Sequence, residues 1–160
     1  MVRSITFFPL AAAMFCAAAD SPVKLIRGQG GLVYAEGAGV PYSGIVREAH
    51  PGGKPKSEAT YRKGRLHGST VFWYRNGNKR SEFTYLNGRL EGVAAYWYKD
   101  GAKQVETTYS NGLRQGSSID WWPNGKKSNQ ETYESGRRHG KWSEWWPDGS
   151  PAAEEVWNQG

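Results

Sequence analysis

Five glycines, Gly44, Gly68, Gly92, Gly116 and Gly140, stand 24 residues apart, and a chain with such a period folds as an array of like units. Two more glycine columns keep step: Gly53, Gly77, Gly101, Gly125 and Gly149, and Gly64, Gly88, Gly112, Gly136 and Gly160. So does the column Tyr61, Tyr85, Tyr109, Tyr133 and Trp157. A tryptophan column, Trp73, Trp97, Trp121 and Trp145, has a second aromatic directly after each member: Tyr74, Tyr98, Trp122 and Trp146. A unit this short cannot bury a core alone, so stability has to come from contacts between neighbours.

The units read as β-hairpins. The 21 Gly punctuate turns, and the 8 Trp, 9 Tyr and 5 Phe are strand formers with large area to bury. Between the aromatic runs lie Arg75-Asn76-Gly77, Lys99-Asp100-Gly101, Pro123-Asn124-Gly125 and Pro147-Asp148-Gly149. Asn-Gly and Asp-Gly at such places are hairpin signals. Pro123 and Pro147 suit the first central position of a type I turn, with Gly as the left-handed residue of a bulge, so a three-residue loop is expected. The fold class is therefore all-β: an elongated single-layer antiparallel meander of hairpins with a 24-residue period, preceded by a signal helix.

That loop fixes the expected faces, because a slip of one residue exchanges them. It places Trp73, Trp97, Trp121 and Trp145 with Tyr85, Tyr109, Tyr133 and Trp157 in one aromatic stripe. The opposite face would carry Glu58, Glu82, Glu106, Gln130 and Glu154 beside Thr60, Thr84, Thr108 and Thr132, shared with Phe72, Tyr74, Tyr96, Tyr98, Trp122 and Trp146. The first unit departs from the pattern, holding Ala49 and His50 at its two aromatic positions, so Gly31 to Gly53 reads as an N-terminal cap. Pro151, Glu154 and Glu155 are the residues expected on an edge kept from pairing with other chains.

Residues 1–19 read as a signal peptide: Arg3, an apolar run from Ile5 to Ala19 broken only by Pro9, and small Ala17 and Ala19 before the cut. The other reading of this segment is a retained anchor. Cys16, the only cysteine, would leave with it, and Phe15 before it does not fit a lipoprotein signal, so the mature chain has neither disulfide nor thiol chemistry. Residues 20–32 read as a linker and 33–160 as the repeat domain, with units at 33–60, 61–84, 85–108, 109–132 and 133–157 and a partial unit at 158–160. The charge is +6, and loss of Arg3 lowers it by one; it is interspersed, which gives a weak pull on acidic partners and no nucleic-acid site. Export places the protein in the periplasm or at the cell surface.

Pro41-Tyr42-Ser43-Gly44, Tyr61-Arg62-Lys63-Gly64-Arg65-Leu66-His67-Gly68 and Trp73-Tyr74-Arg75-Asn76-Gly77 resemble the MORN-repeat variant family, and more narrowly the YwqK-family antitoxins of toxin–antitoxin systems. The resemblance covers Val33 to Gly160. It implies a single-layer, gently twisted meander whose aromatic residues line a concave side, and, for the antitoxin group, binding and neutralising a partner protein. Related MORN proteins are credited with scaffolding and membrane lipids.

No catalytic residue, metal site or cofactor is expected. His50, His67 and His139 occupy unequal places in the repeat and read as solvated turn residues, and successive glutamates of their column lie two strands apart, ~10 Å, too far to share a proton. The rings of Trp73, Tyr85, Trp97, Tyr109, Trp121, Tyr133, Trp145 and Trp157 are both a thin core and a candidate partner-binding face, with Arg65, Arg89 and Arg137 as its rim. The expectation is a non-enzymatic monomer that binds a protein, a toxin or effector. The alternative is an envelope scaffold that binds cell-wall glycan or anionic lipid headgroups.

Overall fold

The computed structural model describes residues 23–157. The segment 1–19 read as a signal peptide, its Cys16 and the stretch 158–160 read as a partial unit lie outside the described residues. The strands are β1 (Leu25–Arg27), β2 (Val33–Ala35), β3 (Gly44–Ala49), β4 (Pro55–Arg62), β5 (Arg65–Trp73), β6 (Lys79–Leu86), β7 (Arg89–Leu90), β8 (Gly92–Trp97), β9 (Lys103–Ser110), β10 (Leu113–Trp121), β11 (Lys127–Glu134), β12 (Arg137–Arg138), β13 (Gly140–Trp145) and β14 (Pro151–Trp157). β1, within the stretch read as a linker, pairs with β2 in a small separate sheet. The rest form one open antiparallel sheet of twelve strands in the order β3 to β14, with β7 on β6 and β12 on β11. The meander of hairpins is the expected fold.

Two kinds of turn alternate. At one end the loops are the expected three-residue bulged type: Tyr74 N donates to Asn78 O at 2.9 Å, Gly77 N to Tyr74 O at 3.0 Å, and Gly77 has φ +100°. The Asn or Asp side chain braces the loop, Asn76 Oδ1 accepting from Asn78 N at 3.1 Å and Asp100 Oδ1 from Ala102 N at 3.0 Å. At the other end the turns have two central residues, both with positive φ, such as Asn87 (+51°) and Gly88 (+86°), the requirement of a type I′ hairpin.

A second bulge overturns the expected faces. Phe72 pairs with Ser81 but Trp73 with Lys79, so Arg80 is an extra residue. The same shift recurs at Trp97, Trp121 and Trp145. Every tryptophan of the column is thereby moved to the face of Glu58, Glu82, Glu106, Gln130 and Glu154. Phe72 and Tyr96 move the other way and join the tyrosines. The rings are divided between two surfaces, not gathered in one stripe.

What the sheet buries is thin. Among the described residues no large side chain is fully enclosed; the most covered are Thr70, Val71, Ser81, Ala94, Ala95, Thr107, Ser118, Glu131 and Tyr133. Most are small residues at the middle of the tyrosine face, roofed by longer side chains to either side, as expected where neighbours supply the only core. The second aromatic of each pair ties unit to unit. Tyr74 Oη donates to Trp97 O and Tyr98 Oη to Trp121 O, both at 2.8 Å, and Trp122 Nε1 to Trp145 O at 2.9 Å. His50 Nε2 sits 3.1 Å from Trp73 O, in the same register, so the first unit keeps the ladder with an imidazole in place of a phenol or indole.

Candidate functional site

The glutamate face is internally satisfied. Lys79 donates to Glu82 at 2.8 Å while lying 5.6 Å from the Trp97 ring centre, and Lys103 repeats this with Glu106 at 2.6 Å and Trp121 at 5.6 Å. Arg47 bonds Glu58 at 2.7 Å and Lys141 bonds Glu154 at 2.8 Å. Lys79 and Lys103 are thus each shared between a carboxylate on their own strand and an indole on the next hairpin, which holds Trp97 and Trp121 down.

On the tyrosine face the invariant column Tyr61, Tyr85, Tyr109, Tyr133 and Trp157 is flanked by columns that change character along the array. Opposite Tyr85 stands Leu90, but opposite Tyr109 stands Arg114, and opposite Tyr133 Arg138. Where Phe72 and Tyr96 occupy one column, Asp120 and Glu144 follow in it; where Phe83 and Thr107 occupy another, Glu131 and Glu155 follow. The N-terminal half is consequently an aromatic cluster: Phe83 meets Phe72 at 6.3 Å, Tyr85 at 6.3 Å and Tyr96 at 5.4 Å between ring centres. Tyr96 is 42% exposed at its edge. Burial raises the Tyr85 phenol above its ordinary value.

The C-terminal half is a charged network. Arg114 Nη1 donates to Tyr133 Oη at 2.6 Å with its guanidinium 4.9 Å from that ring centre, and Tyr133 in turn donates to the buried Glu131 carboxylate. Arg138 Nη2 reaches Glu131 at 3.1 Å and lies 5.7 Å from the Trp157 ring. Hydrogen bonding to Tyr109 and the nearby Tyr133 hold the Arg114 guanidinium above its ordinary value. Asp120 pairs across the ladder with Asn129. Burial pushes its carboxyl above the usual range, Glu131 adds to this, and the Asn129 hydrogen bond and Arg114 oppose it.

The raised Asp120 value has a sign that can be checked. A carboxyl whose folded value exceeds its unfolded one, about 3.9, binds its proton more tightly in the native state. Its stabilising contribution is therefore present below the unfolded value and lost as pH rises through the folded one. Asp120→Asn is expected to raise the melting temperature at pH 7 and to leave it nearly unchanged at pH 3. An equal gain at both pH values would mean that ionisation is not the cause.

Of the residues singled out in the sequence, Tyr85, Tyr109, Tyr133 and Trp157 share the tyrosine face, and Trp73, Trp97, Trp121 and Trp145 lie behind it. Arg65, Arg89 and Arg137 fall on the glutamate-face side of the two-residue turns, so they do not rim the tyrosines; Arg89 Nη1 bonds Asn111 Oδ1 at 2.6 Å. The arginines beside the tyrosines are Arg114 and Arg138. These, with Asp120, Glu131 and Glu144, went unread because attention to repeating columns hides the ones that vary, and Tyr96 was expected on the opposite face.

The histidines are not simply solvated. Besides the ladder role of His50, the Nδ1 atoms of His67 and His139 are buried without a hydrogen bond, whereas in the same column Ser43, Glu91 and Gln115 accept from the left-handed backbone N–H of Lys63, Asn111 and Ser135 at 2.7 to 2.8 Å. Among the described residues no three His, Cys, Asp or Glu converge as for a metal ion, and no helix is long and apolar enough to cross a membrane.

Fold and site together define a repeat protein with unlike surfaces on its two sides. The family described as MORN repeat variant matches residues 66–87 and 138–159, two segments at the same phase of the period, and the chain carries repeats of this type. Such repeats are binding modules. No curated protein matches the chain.

Proposed function

We propose that the chain binds a partner protein on its tyrosine face, with the aromatic half supplying contact energy and the charged half fixing orientation. The observation behind this is the change of character within columns: a purely structural repeat has no reason to replace Phe72 and Tyr96 by Asp120 and Glu144 at equivalent places. Aromatic anchors with arginine are the residues that dominate interface energies, and charge patterns select the partner and its register. We further propose export by the leader 1–19 and action outside the inner membrane as a monomeric immunity or antitoxin protein that neutralises a toxin or effector, in keeping with the resemblance to the antitoxin group.

The envelope-scaffold alternative has less behind it. Glycan or anionic headgroups would want free cations beside the indoles, and Lys79 and Lys103 are each committed to a glutamate.

The test is affinity capture of the partner from the producing cells, followed by titration of the purified pair. Tyr96→Ser, at an exposed ring, is expected to weaken binding at least tenfold, and Trp97→Ala on the other face less than threefold. The reverse order would transfer the interface to the glutamate face and sink the proposal.

A further inference from the structure

The first unit keeps the loop hydrogen bonds and the bulge of its successors, with Gly52 at φ +97° inside the loop, and lacks their tryptophan. Ala49 pairs with Pro55 across the same bulge that places Trp97 against Lys103, and His50 closes the same loop, its N–H donating to Lys54 O at 2.8 Å and accepting Gly53 N on its carbonyl at 3.0 Å. Where Trp73, Trp97, Trp121 and Trp145 each present an indole, Ala49 presents a methyl group. The space is an open cleft of about 370 Å³ lined by Arg47, Ala49, Pro55, Glu58 and Trp73 among others. That volume is at the small end of the range for ligand pockets, enough for one ring system.

We propose that this cleft receives an aromatic side chain, Trp or Tyr, from a partner polypeptide. The walls are the register equivalents of an indole's surroundings elsewhere in the array: Trp73 on the next hairpin stands to Ala49 as Trp121 does to Trp97, and Glu58 as Glu106 does. Arg47 and Glu58, paired at 2.7 Å on this face, place a guanidinium donor and a carboxylate acceptor beside the ring. Those are the groups a peptide's own N–H and C=O would need on either side of a seated side chain, and an isolated hydrocarbon ring would not use them. The cleft opens on the glutamate face, so the inference stands apart from the tyrosine-face reading.

The probe is N-acetyltryptophanamide, followed by saturation-transfer NMR on the full chain, with N-acetylalaninamide and free indole as comparisons. N-acetyltryptophanamide is expected to bind at least tenfold more tightly than the alanine analogue and more tightly than indole. Ala49→Trp, which plugs the cleft with the ring the other units carry, is expected to abolish the signal while the melting temperature holds or rises. Tyr96→Ser is expected to leave it intact, so loss of the tyrosine-face partner and loss of this site are read separately. Equal binding by Ala49→Trp, or by the alanine analogue, overturns the site; indole binding as tightly as the amide overturns the assignment to a polypeptide.

Discussion

Gly64→Ala is expected to cost about 3 kcal/mol, whereas Gly112→Ala, at the equivalent turn two units on, costs about 1 kcal/mol. Both residues hold positive φ, +74° and +85°, so both substitutions carry the left-handed penalty. They differ in what the new methyl group meets. At Gly112 the nearest atom is Arg89 Cβ at 3.8 Å, an ordinary contact. At Gly64 the methyl group would stand 2.9 Å from both the N and O of Val33 and 3.0 Å from Leu32 Cβ. Neither backbone atom can yield without breaking the bond from Val33 N to Gly64 O, 2.9 Å, and the neighbouring bond from Tyr42 N to Val33 O, 2.8 Å. Urea titration gives the two costs, and hydrogen exchange locates them: in Gly64→Ala the amides of Val33 and Tyr42 lose protection first. Equal midpoints for the two variants would show that the β1–β2 element is not seated on this turn.

The contrast between those glycines shows how unevenly the sequence discloses the fold. The period, the hairpins and the three-residue loops are all written in recognisable turn residues, because Asn-Gly and Asp-Gly mark a backbone that needs positive φ. The second bulge left no such mark. Its extra residues, Arg80, Gln104, Ser128 and Ala152, are ordinary and none has positive φ, so nothing in composition separates them from a regular strand. One unmarked residue per hairpin was enough to carry the tryptophans to the glutamate face. The glutamate and threonine ladders were read correctly because the three-residue loop and the unmarked bulge both lie between a tryptophan and its following strand. The second aromatic column yielded its role only in three dimensions, since a bond from Tyr98 Oη to a carbonyl 23 residues away has no local signature.

The same logic applies to the candidate site. Tyr85, Tyr109 and Tyr133 could be read off their column, yet what distinguishes the two halves of their face lies in neighbours that do not repeat. Position 107 and position 131 are one column. In the first, Thr107 shares a neutral 2.8 Å hydrogen bond with Ser118; in the second, Glu131 takes a proton donor from Tyr133 and a guanidinium from Arg138. The backbone tolerates either solution, which is how a repeat can hold its fold constant while its surface is changed for a partner.

The charged solution should be the more fragile, and Tyr133→Phe tests it. Glu131 is only 7% exposed, so its carboxylate depends on the hydrogen bonds it receives. Removing the Tyr133 hydroxyl withdraws one of them and also strips Arg114 Nη1 of its 2.6 Å acceptor. Hydrogen bonds to charged groups contribute roughly 1.5–3 kcal/mol, and a buried carboxylate left short of a partner costs more than the bond itself, so a loss of about 3 kcal/mol is expected. In an Glu131→Thr background, which restores the neutral arrangement of position 107, the same Tyr133→Phe change is expected to cost about 1 kcal/mol. The difference, read by a double-mutant cycle in urea, is the coupling between the phenol and the buried carboxylate. Tyr85→Phe, at the same column two units earlier, stands opposite Leu90 and supplies the uncharged reference. If Tyr133→Phe cost the same in both backgrounds, the phenol would be acting by packing alone, and the charged half of the tyrosine face would lose its status as a fixed network able to orient a partner.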